Sequence, residues 1–562
     1  MLKKLSALIL FLTILVSGCM MIAVDVPLII DDQLIATFDR DMIILASDKF
    51  AGRLPGSAGG EMAVDYISRR FKEIGLEPGN GDSYHQPVPF FESMPSDGSN
   101  LTFTGLNISS TAVLGEDFVG RMGSFADSVS LDSAQVVFVG YGVSALEYDW
   151  DDYGTYDVAG KIVLMLRGDP GFHSGDSTLF NGKGSSRYGS FRAKFVTARD
   201  RGAIAAFVIF DSTLSLTKYN WSAARRYINK HHLAIDDGDT ADGSRHAEGM
   251  FSVEYGRSLL TSSGYDYDSL AVAAARRDFK AFPLAVTAKG VIKSRQRRFD
   301  SPNIVGILPG SERPDEVVVY MGHWDHLGTD TSLTGDQIYN GASDNATGIA
   351  GILALAREFV TRPRPERSIV FLALTAEESG LLGSRYYCRH PVYPLALTAA
   401  ALNIDMLVSA GQTRDVIIFG QGKSELEGYV ERAAAKLGMV VGDDPWPEQN
   451  IFYRSDHISF ARQGVPALFM TAGVDLLAQG RAGGLEFADH FLQNTYHSVT
   501  DEYNSDWDLR GIADYLQIIY DVGYTIAHQT YFPNWNRYNE FRAIRDQSVK
   551  EAKLAPVASV ID

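Results

Sequence analysis

Cysteine and positive charge are both scarce in this chain. Its 562 residues include two cysteines, Cys19 and Cys388, which excludes a disulfide-stapled scaffold and leaves stability to an apolar core. Lysine and arginine total 51 against 69 for aspartate and glutamate, and the net charge of −18 argues against a nucleic-acid partner. Low-complexity tracts are missing as well. The composition indicates an acidic globular protein that is too long for one ordinary domain.

The N-terminus has the order of a secretion signal. Two lysines precede an apolar run over residues 5–16, which is too short to predict a membrane span. Ser17-Gly18-Cys19 follows, and small residues directly before a cysteine resemble the lipobox of bacterial lipoproteins. The resemblance implies a signal peptide over residues 1–18, a lipid on Cys19 that holds the protein at the membrane, and a location in the cell envelope. The alternative is a plain signal peptide with an incidental cysteine.

The pattern of apolar and polar residues changes along the chain, which predicts several domains and connecting segments. We interpret residues 19–34 as a tether and residues 536–562 as a C-terminal tail. Residues 35–129 and 289–535 alternate apolar runs with amphipathic stretches, the pattern of an α/β domain. Residues 130–288 alternate strand-like runs with turns, and no acids and histidines among them have the spacing of metal ligands. We interpret these residues as an inserted β-rich domain.

Three apolar runs in the α/β part end on acids or histidine. They are residues 317–321 before His323 and Asp325, residues 368–374 before Glu377 and Glu378, and residues 399–404 before Asp405. Short apolar runs of this kind predict buried parallel strands. Because ligands bind beyond the carboxyl ends of strands in open α/β sheets, we expect these side chains to face one crevice.

Two loop-like segments contain further polar residues that can reach the crevice. Residues 341–348 contain Asp344 and open an amphipathic helix, whose apolar residues recur at helical spacing up to Val360. Asp344 is therefore expected near a helix N-terminus beside the same crevice. Residues 494–501 contain His497 in loop-like sequence, where functional residues concentrate.

These residues together predict a metal site. His323, Asp344, Glu378, Asp405 and His497 are nitrogen and oxygen ligands of the kind that zinc accepts. Five ligands are too many for one catalytic zinc with an open position, and they suit two ions about 3.5–4 Å apart that share a bridging carboxylate. From spacing alone, helix caps and surface acids explain the same residues equally well.

Two further acids have roles beside such a site. In Glu377-Glu378, one residue can bind a metal ion while its neighbour carries a proton. Asp325 lies two residues after His323, at the position of a carboxylate that can fix the histidine tautomer.

Five short segments resemble, in order and spacing, the metal-site motifs of family 28 of the zinc metallopeptidases. They are GHWDHLG at 322–328, GASDNATG at 341–348, AEESG at 376–380, NIDM at 403–406 and YHS at 496–498. Residues 50–56, 454–457 and 464–467 resemble further segments of that family, and the middle of the chain resembles a protease-associated domain, a frequent insert in it. The resemblance implies an α/β fold of the zinc exopeptidase type, with a mixed, mainly parallel central sheet flanked by helices.

The resemblance also implies a role for each ligand. It implies that Asp344 bridges two zinc ions. His323 and Asp405 then complete one ion, and Glu378 and His497 complete the other.

Three catalytic side chains are implied in the same way. Glu377 is the general base and acid, and Asp325 orients its neighbours. The family's aminopeptidases often place an oxyanion-stabilising tyrosine three residues before a Ser-Asp pair. Phe452 holds that position here and Tyr453 follows it, so Tyr453 is the candidate for this role.

The implied reaction is hydrolysis of a terminal peptide bond of a peptide substrate. Aminopeptidases dominate the resemblance, so we expect cleavage from the N-terminus. A carboxypeptidase of the glutamate carboxypeptidase type uses the same metal set and stays open. A glutaminyl cyclase uses one zinc and no water attack, and a receptor-like non-enzyme has lost its ligands. Retention of every ligand argues against both of these.

Overall fold

The computed structural model describes residues 25–554 apart from short internal gaps. The gaps are residues 175, 177, 181, 183, 185, 215–219, 222–224, 226–230, 237–244 and 409. The predicted signal peptide, the predicted lipid site at Cys19 and the last residues of the predicted tail lie outside the described residues. Within the described part, no helix combines the length and the apolar character needed to cross a membrane.

The main sheet is mixed with a parallel centre, which confirms the predicted fold class. Its strands, in spatial order, are His232–Ile235, His85–Pro95, the C-terminal part of Phe282–Leu308, Arg367–Leu374, Arg313–His323, Thr398–Asn403, Ala467–Ala472, Asp415–Ile418 and Val440–Gly442. The pairings from Arg367–Leu374 across to Ala467–Ala472 are parallel. The three strands predicted from the apolar runs are therefore confirmed, and they are neighbours.

Helices cover both faces of this sheet. They are Asp32–Leu45, Ala58–Ile74, Thr347–Thr361, Leu382–Arg389, Leu426–Lys436, Gly480–Asn494, Arg510–His528 and Arg542–Leu554. Successive residues of a strand point to opposite faces, so Val318 and Tyr320 belong to one apolar core while Val317 and Val319 belong to the other. Both faces are buried, which explains why the strands read as continuous apolar runs.

A second sheet shares the long strand Phe282–Leu308 with the main sheet. Its other strands are Ile108–Ala112, Asn100–Gly105, Ser128–Phe138, Ile162–Leu166, Ala205–Phe210, Ala247–Ser252 and Phe118–Met122. Helices Phe191–Asp200, Val253–Ser262 and Tyr267–Ala274 pack on it, and it has apolar cores of its own. This sheet begins at Asn100, before the boundary at residue 130 that the sequence texture indicated.

Both ends of the described chain are more ordered than the sequence indicated. Ile29 is buried and its N–H donates to Gln517 Oε1 at 2.6 Å, and a helix begins at Asp32, so the segment expected to be a tether ends earlier than residue 34. The region expected to be a tail contains the helix Arg542–Leu554. Its Arg545 is buried and donates to the backbone carbonyl of Thr398 at 2.9 Å.

Candidate metal centre

The central strands end level with one another, and their last residues carry the site. His323 is the last residue of Arg313–His323 and lies opposite Leu374, the last residue of the neighbouring strand. Glu377 and Glu378 follow three and four residues after Leu374. Asp405 follows the strand on the other side. Parallel strands present their carboxyl ends at one edge, so local sequence order brings these side chains together.

Asp344 reaches the same edge from a separate loop. It lies in the kinked segment Ala342–Ala346, just before the helix Thr347–Thr361. The carboxylate of Asp501 accepts the N–H of Ser343 at 2.9 Å and the N–H of Asp344 at 3.0 Å, which fixes the loop. Because Asp501 is buried, these bonds are shielded from water.

The two oxygens of Asp344 face two different histidines. Oδ1 lies 3.2 Å from Nε2 of His323, and Oδ2 lies 3.1 Å from Nε2 of His497. His323 Nε2 is also 3.2 Å from Oδ1 of Asp405, while His497 Nε2 is 3.1 Å from Oε2 of Glu378. The structure thus brings all five predicted ligands together, in two sets that share Asp344.

Neighbouring groups hold the ligands in place. Ser455 Oγ donates to Oδ2 of Asp405 at 2.6 Å, which leaves Oδ1 facing His323. The Asp325 carboxylate accepts the N–H of Glu377 at 3.0 Å and that of Glu378 at 3.4 Å. His323 Nδ1 is 3.1 Å from the backbone oxygen of Asp325 and 3.8 Å from its carboxylate. Asp325 therefore orients the two glutamates more directly than it orients the histidine.

His326 belongs to this cluster although the sequence analysis gave it no role. Its side chain is fully buried, and Nδ1 lies 2.7 Å from Oε1 of Glu378. Geometrically, His326, Asp344 and Glu378 form a potential ligand set beside that of His323, Asp344 and Asp405. The signal was present in the segment 322–328, which contains two histidines, but the family resemblance assigned a ligand role to the first one only.

The structure gives Tyr453 different partners from those expected of an oxyanion donor. Its hydroxyl donates to Glu540 and lies 3.2 Å from Nζ of Lys423, so its contacts do not support the predicted role. Tyr496 is the tyrosine beside the ligands, and its ring stacks on His497 with 3.9 Å between centroids. Burial and the nearby Asp344 raise the pKa of Tyr496 well above its ordinary value, so its hydroxyl keeps its proton at neutral pH.

Negative charge is concentrated at this edge of the sheet. The buried or half-buried carboxyl groups are Asp325, Asp344, Glu377, Glu378, Asp405, Asp456 and Asp501. Burial raises the pKa of Glu377 well above its ordinary value, and the neighbouring Glu378 adds to the shift. Burial opposes ionisation of Glu378 too, but His497 lowers its pKa to about 2. Two like charges about 4 Å apart repel by about 4 kcal/mol at an effective dielectric of about 20. Divalent cations offset such repulsion, and the nitrogen and oxygen donors present fit zinc.

An apolar pocket opens beside Asp405. It encloses roughly 810 Å³ of empty space, including its open mouth. Its apolar lining includes Phe419, Trp446, Ile451, Phe469, Val474, Phe487, Ala488, Phe491 and Leu492. A pocket with this lining suits an apolar group.

Comparison with known proteins agrees with this geometry. Residues 303–522 match the family described as peptidase family M28. A probable zinc metalloprotease of Pyricularia oryzae is 32% identical over 178 residues, which cover 30% of this chain and 35% of that protein. Aminopeptidase NAALADL1 of Mus musculus is 31% identical over 139 residues, 24% of this chain and 17% of that protein. The chain thus matches less than half the length of either curated relative.

One solved structure extends the comparison to most of the chain. The aminopeptidase from Aneurinibacillus sp. strain AM-1 covers 88% of this chain and 95% of its own, with a TM-score of 0.52 and 20% sequence identity. This likeness establishes the same fold. Residues 303–522 are accordingly similar in sequence to metallopeptidases. More particularly, they match the model of peptidase family M28, and the relative from Pyricularia oryzae is named as a probable zinc metalloprotease.

Proposed function

We propose that this protein is a two-zinc aminopeptidase that removes apolar N-terminal residues from peptides. The observation that carries the proposal is the position of Asp344, whose two carboxylate oxygens each face a different histidine at 3.1–3.2 Å. A carboxylate placed in this way suits a bridge between two ions. His323 and Asp405 would hold one of them, and Glu378 and His497 the other, with His326 beside the second pair.

The chain's own residues supply the proton transfers. When bound, the ions supply Lewis acidity and make a water molecule more acidic. The Glu377 carboxylate takes a proton from the attacking water and delivers it to the leaving amine as the carbon–nitrogen bond breaks. Asp325 keeps Glu377 in place through the backbone N–H that it accepts at 3.0 Å. The Tyr496 hydroxyl donates to the oxyanion that develops on the attacked carbonyl.

The surroundings favour a free N-terminus over a free C-terminus. A substrate residue in the apolar pocket places its backbone beside Asp405, among buried carboxylates. Two zinc ions would offset the charge of the ligand carboxylates, and the acids outside the ligand set, such as Asp325 and Asp456, attract a protonated α-amine and repel a terminal carboxylate. The pocket lining is apolar, so it favours leucine-like and aromatic side chains over acidic ones.

The second sheet and the N-terminus have supporting roles in this proposal. The second sheet belongs to a protease-associated insert that forms one wall of the crevice. In support, the insert lies against the loop that follows Glu378. Its Arg192 is close to Gly380 of that loop, where an added Cβ would lie 3.0 Å from Nη1 of the arginine. A lipid on Cys19 anchors the protein in the cell envelope, as the order of the N-terminal residues suggests.

A matched set of peptides tests the proposal. Zinc-loaded protein should release the first residue of a leucyl peptide, tolerate C-terminal amidation, and lose activity when the N-terminus is acetylated. Metal analysis of the same sample should find two zinc ions per chain. The reverse response to the two blocking groups would identify a carboxypeptidase. Equal cleavage of all the peptides would identify an endopeptidase, and one zinc with cyclisation in place of hydrolysis would identify a cyclase.

A further inference from the structure

Arg53 is a buried arginine that lies next to the metal centre without belonging to the ligand set. It ends the short segment Asp48–Arg53 between the first two helices, and its side chain is 1% exposed. Nε donates to the backbone oxygen of Trp324 at 2.8 Å. Nη1 donates to the backbone oxygens of Leu45 at 2.8 Å and Asn340 at 2.6 Å, and Nη2 donates to that of Gly341 at 2.9 Å.

Two of the segments that Arg53 connects carry the metal ligands. Trp324 directly follows His323, and Gly341 lies three residues before Asp344. A guanidinium presents its donors in a rigid planar fork, so carbonyls bound to one group keep a fixed separation. The fork therefore links the backbone that carries His323 to the backbone that carries Asp344, whose side chains lie 3.2 Å apart.

Backbone contacts strengthen the same connection. The N–H of Gly328 donates to the oxygen of Gly52 at 3.0 Å. Gly52 has a positive φ of 68°, and a Cβ there would lie 2.3 Å from the oxygen of Gly328, so the two loops touch too closely for any other residue. Arg53 thus sits on a rigid support and is not a mobile surface side chain.

The charge of Arg53 faces the site. Among the carboxylates that act on it, Asp344 has the largest influence, followed by Asp501, Asp325 and Glu378. Burial lowers the pKa of Arg53 to about 10, so the group keeps its charge at neutral pH. The hydrogen bonds go to backbone carbonyls, which leaves the nearby carboxylates available for metal ions.

We propose that Arg53 is a positioning residue that sets the spacing between His323 and Asp344 and thereby the affinity of the centre for its ions. This inference rests on the proposed function, since it requires that the centre bind divalent ions. The chain offers a matched control in Arg545. That residue is also buried, and its guanidinium donates to the backbone oxygens of Leu395, Ala396 and Thr398 at 2.9–3.3 Å. The carboxylate that acts on it is Asp546, which belongs to no ligand set.

The test compares Arg53→Lys with Arg545→Lys in the full chain. Lysine keeps the charge and removes the planar fork in both cases. Each folded variant, checked by circular dichroism, is titrated with zinc against a competing chelator, and melting temperatures are recorded with and without zinc. Arg53→Lys should weaken at least one zinc site tenfold or more, which corresponds to about 1.4 kcal/mol. Its gain in melting temperature on adding zinc should shrink accordingly.

Arg545→Lys should behave differently. It should lower both melting temperatures together and leave the zinc affinity unchanged. Wild-type zinc affinity in folded Arg53→Lys, or an equal loss of affinity in both variants, would overturn the inference. Should metal-free Arg53→Lys fail to fold, both variants are refolded from denaturant at increasing zinc concentration. A higher zinc midpoint for Arg53→Lys is expected, and a midpoint equal to that of Arg545→Lys would overturn the inference. Wild-type protein that binds no zinc would overturn the proposed function itself, so the two failures are distinguishable.

Discussion

Replacing Glu377 with glutamine should remove turnover and leave metal binding intact. Glutamine keeps the size of the side chain and the backbone N–H bond to Asp325, but it cannot accept and deliver the proton. Positioned general bases contribute about 10²–10⁴-fold to rate. The barrier should therefore rise by about 2.7–5.4 kcal/mol, at 1.36 kcal/mol for each factor of ten.

The neighbouring residue provides the contrast for this experiment. Glu378 lies 3.1 Å from His497 and 2.7 Å from His326, so it faces the proposed ligand set. Glu378→Gln replaces a charged ligand by a weaker neutral one. It should lose occupancy of one zinc site, and excess zinc should partly restore its activity.

The assay measures kcat on a leucyl peptide and zinc content by elemental analysis on the same samples. Glu377→Gln should contain two zinc ions per chain with kcat reduced by at least about a hundredfold. If Glu377→Gln loses zinc while Glu378→Gln retains both ions, the two roles are reversed. If neither change affects rate or metal content, the reaction occurs elsewhere and the reasoning is refuted.

Three further predictions address the tyrosine, the pocket and the anchor. Tyr496→Phe should reduce kcat by about 10²–10³-fold, the cost of one oxyanion donor, while Tyr453→Phe should leave kcat within a few fold; the opposite order would return the role to Tyr453. Ala488→Trp fills the apolar pocket, so the KM for a leucyl peptide should rise more than the KM for an alanyl peptide. Equal changes in the two KM values would place the substrate side chain outside this pocket. Cys19→Ser should move the protein from the membrane fraction to the soluble fraction, and a freely soluble wild type would contradict the anchor.

Much of the fold and of the candidate site could be predicted because the signals are local. The strands of the main sheet centre are buried on both faces, so each appears as an unbroken apolar run. Parallel strands end at one edge, so a ligand at the end of each run predicts a shared site without knowledge of the fold. Asp344 follows the same logic, because its position before an amphipathic helix is visible in the sequence.

Other features depend on contacts between distant segments. Arg53 acts through carbonyls of residues 324 and 340–341, which no local pattern reveals. Tyr453 and Tyr496 both lie near motif residues. The fold adds that Tyr453 contacts Glu540 and that the ring of Tyr496 stacks on its sequence neighbour His497. The start of the second sheet at Asn100 was not predicted, because strands of six and five residues are too short for their sequence pattern to show which sheet they join.

Anomalous diffraction from crystals of the zinc-loaded protein tests whether Asp344 bridges two zinc ions. Data collected at the zinc absorption edge show each ion as a separate peak. We expect two peaks about 3.5–4 Å apart, one on either side of the Asp344 carboxylate, with His323 beside one and His497 beside the other. A single peak, or two peaks that Asp344 does not bridge, would contradict this expectation.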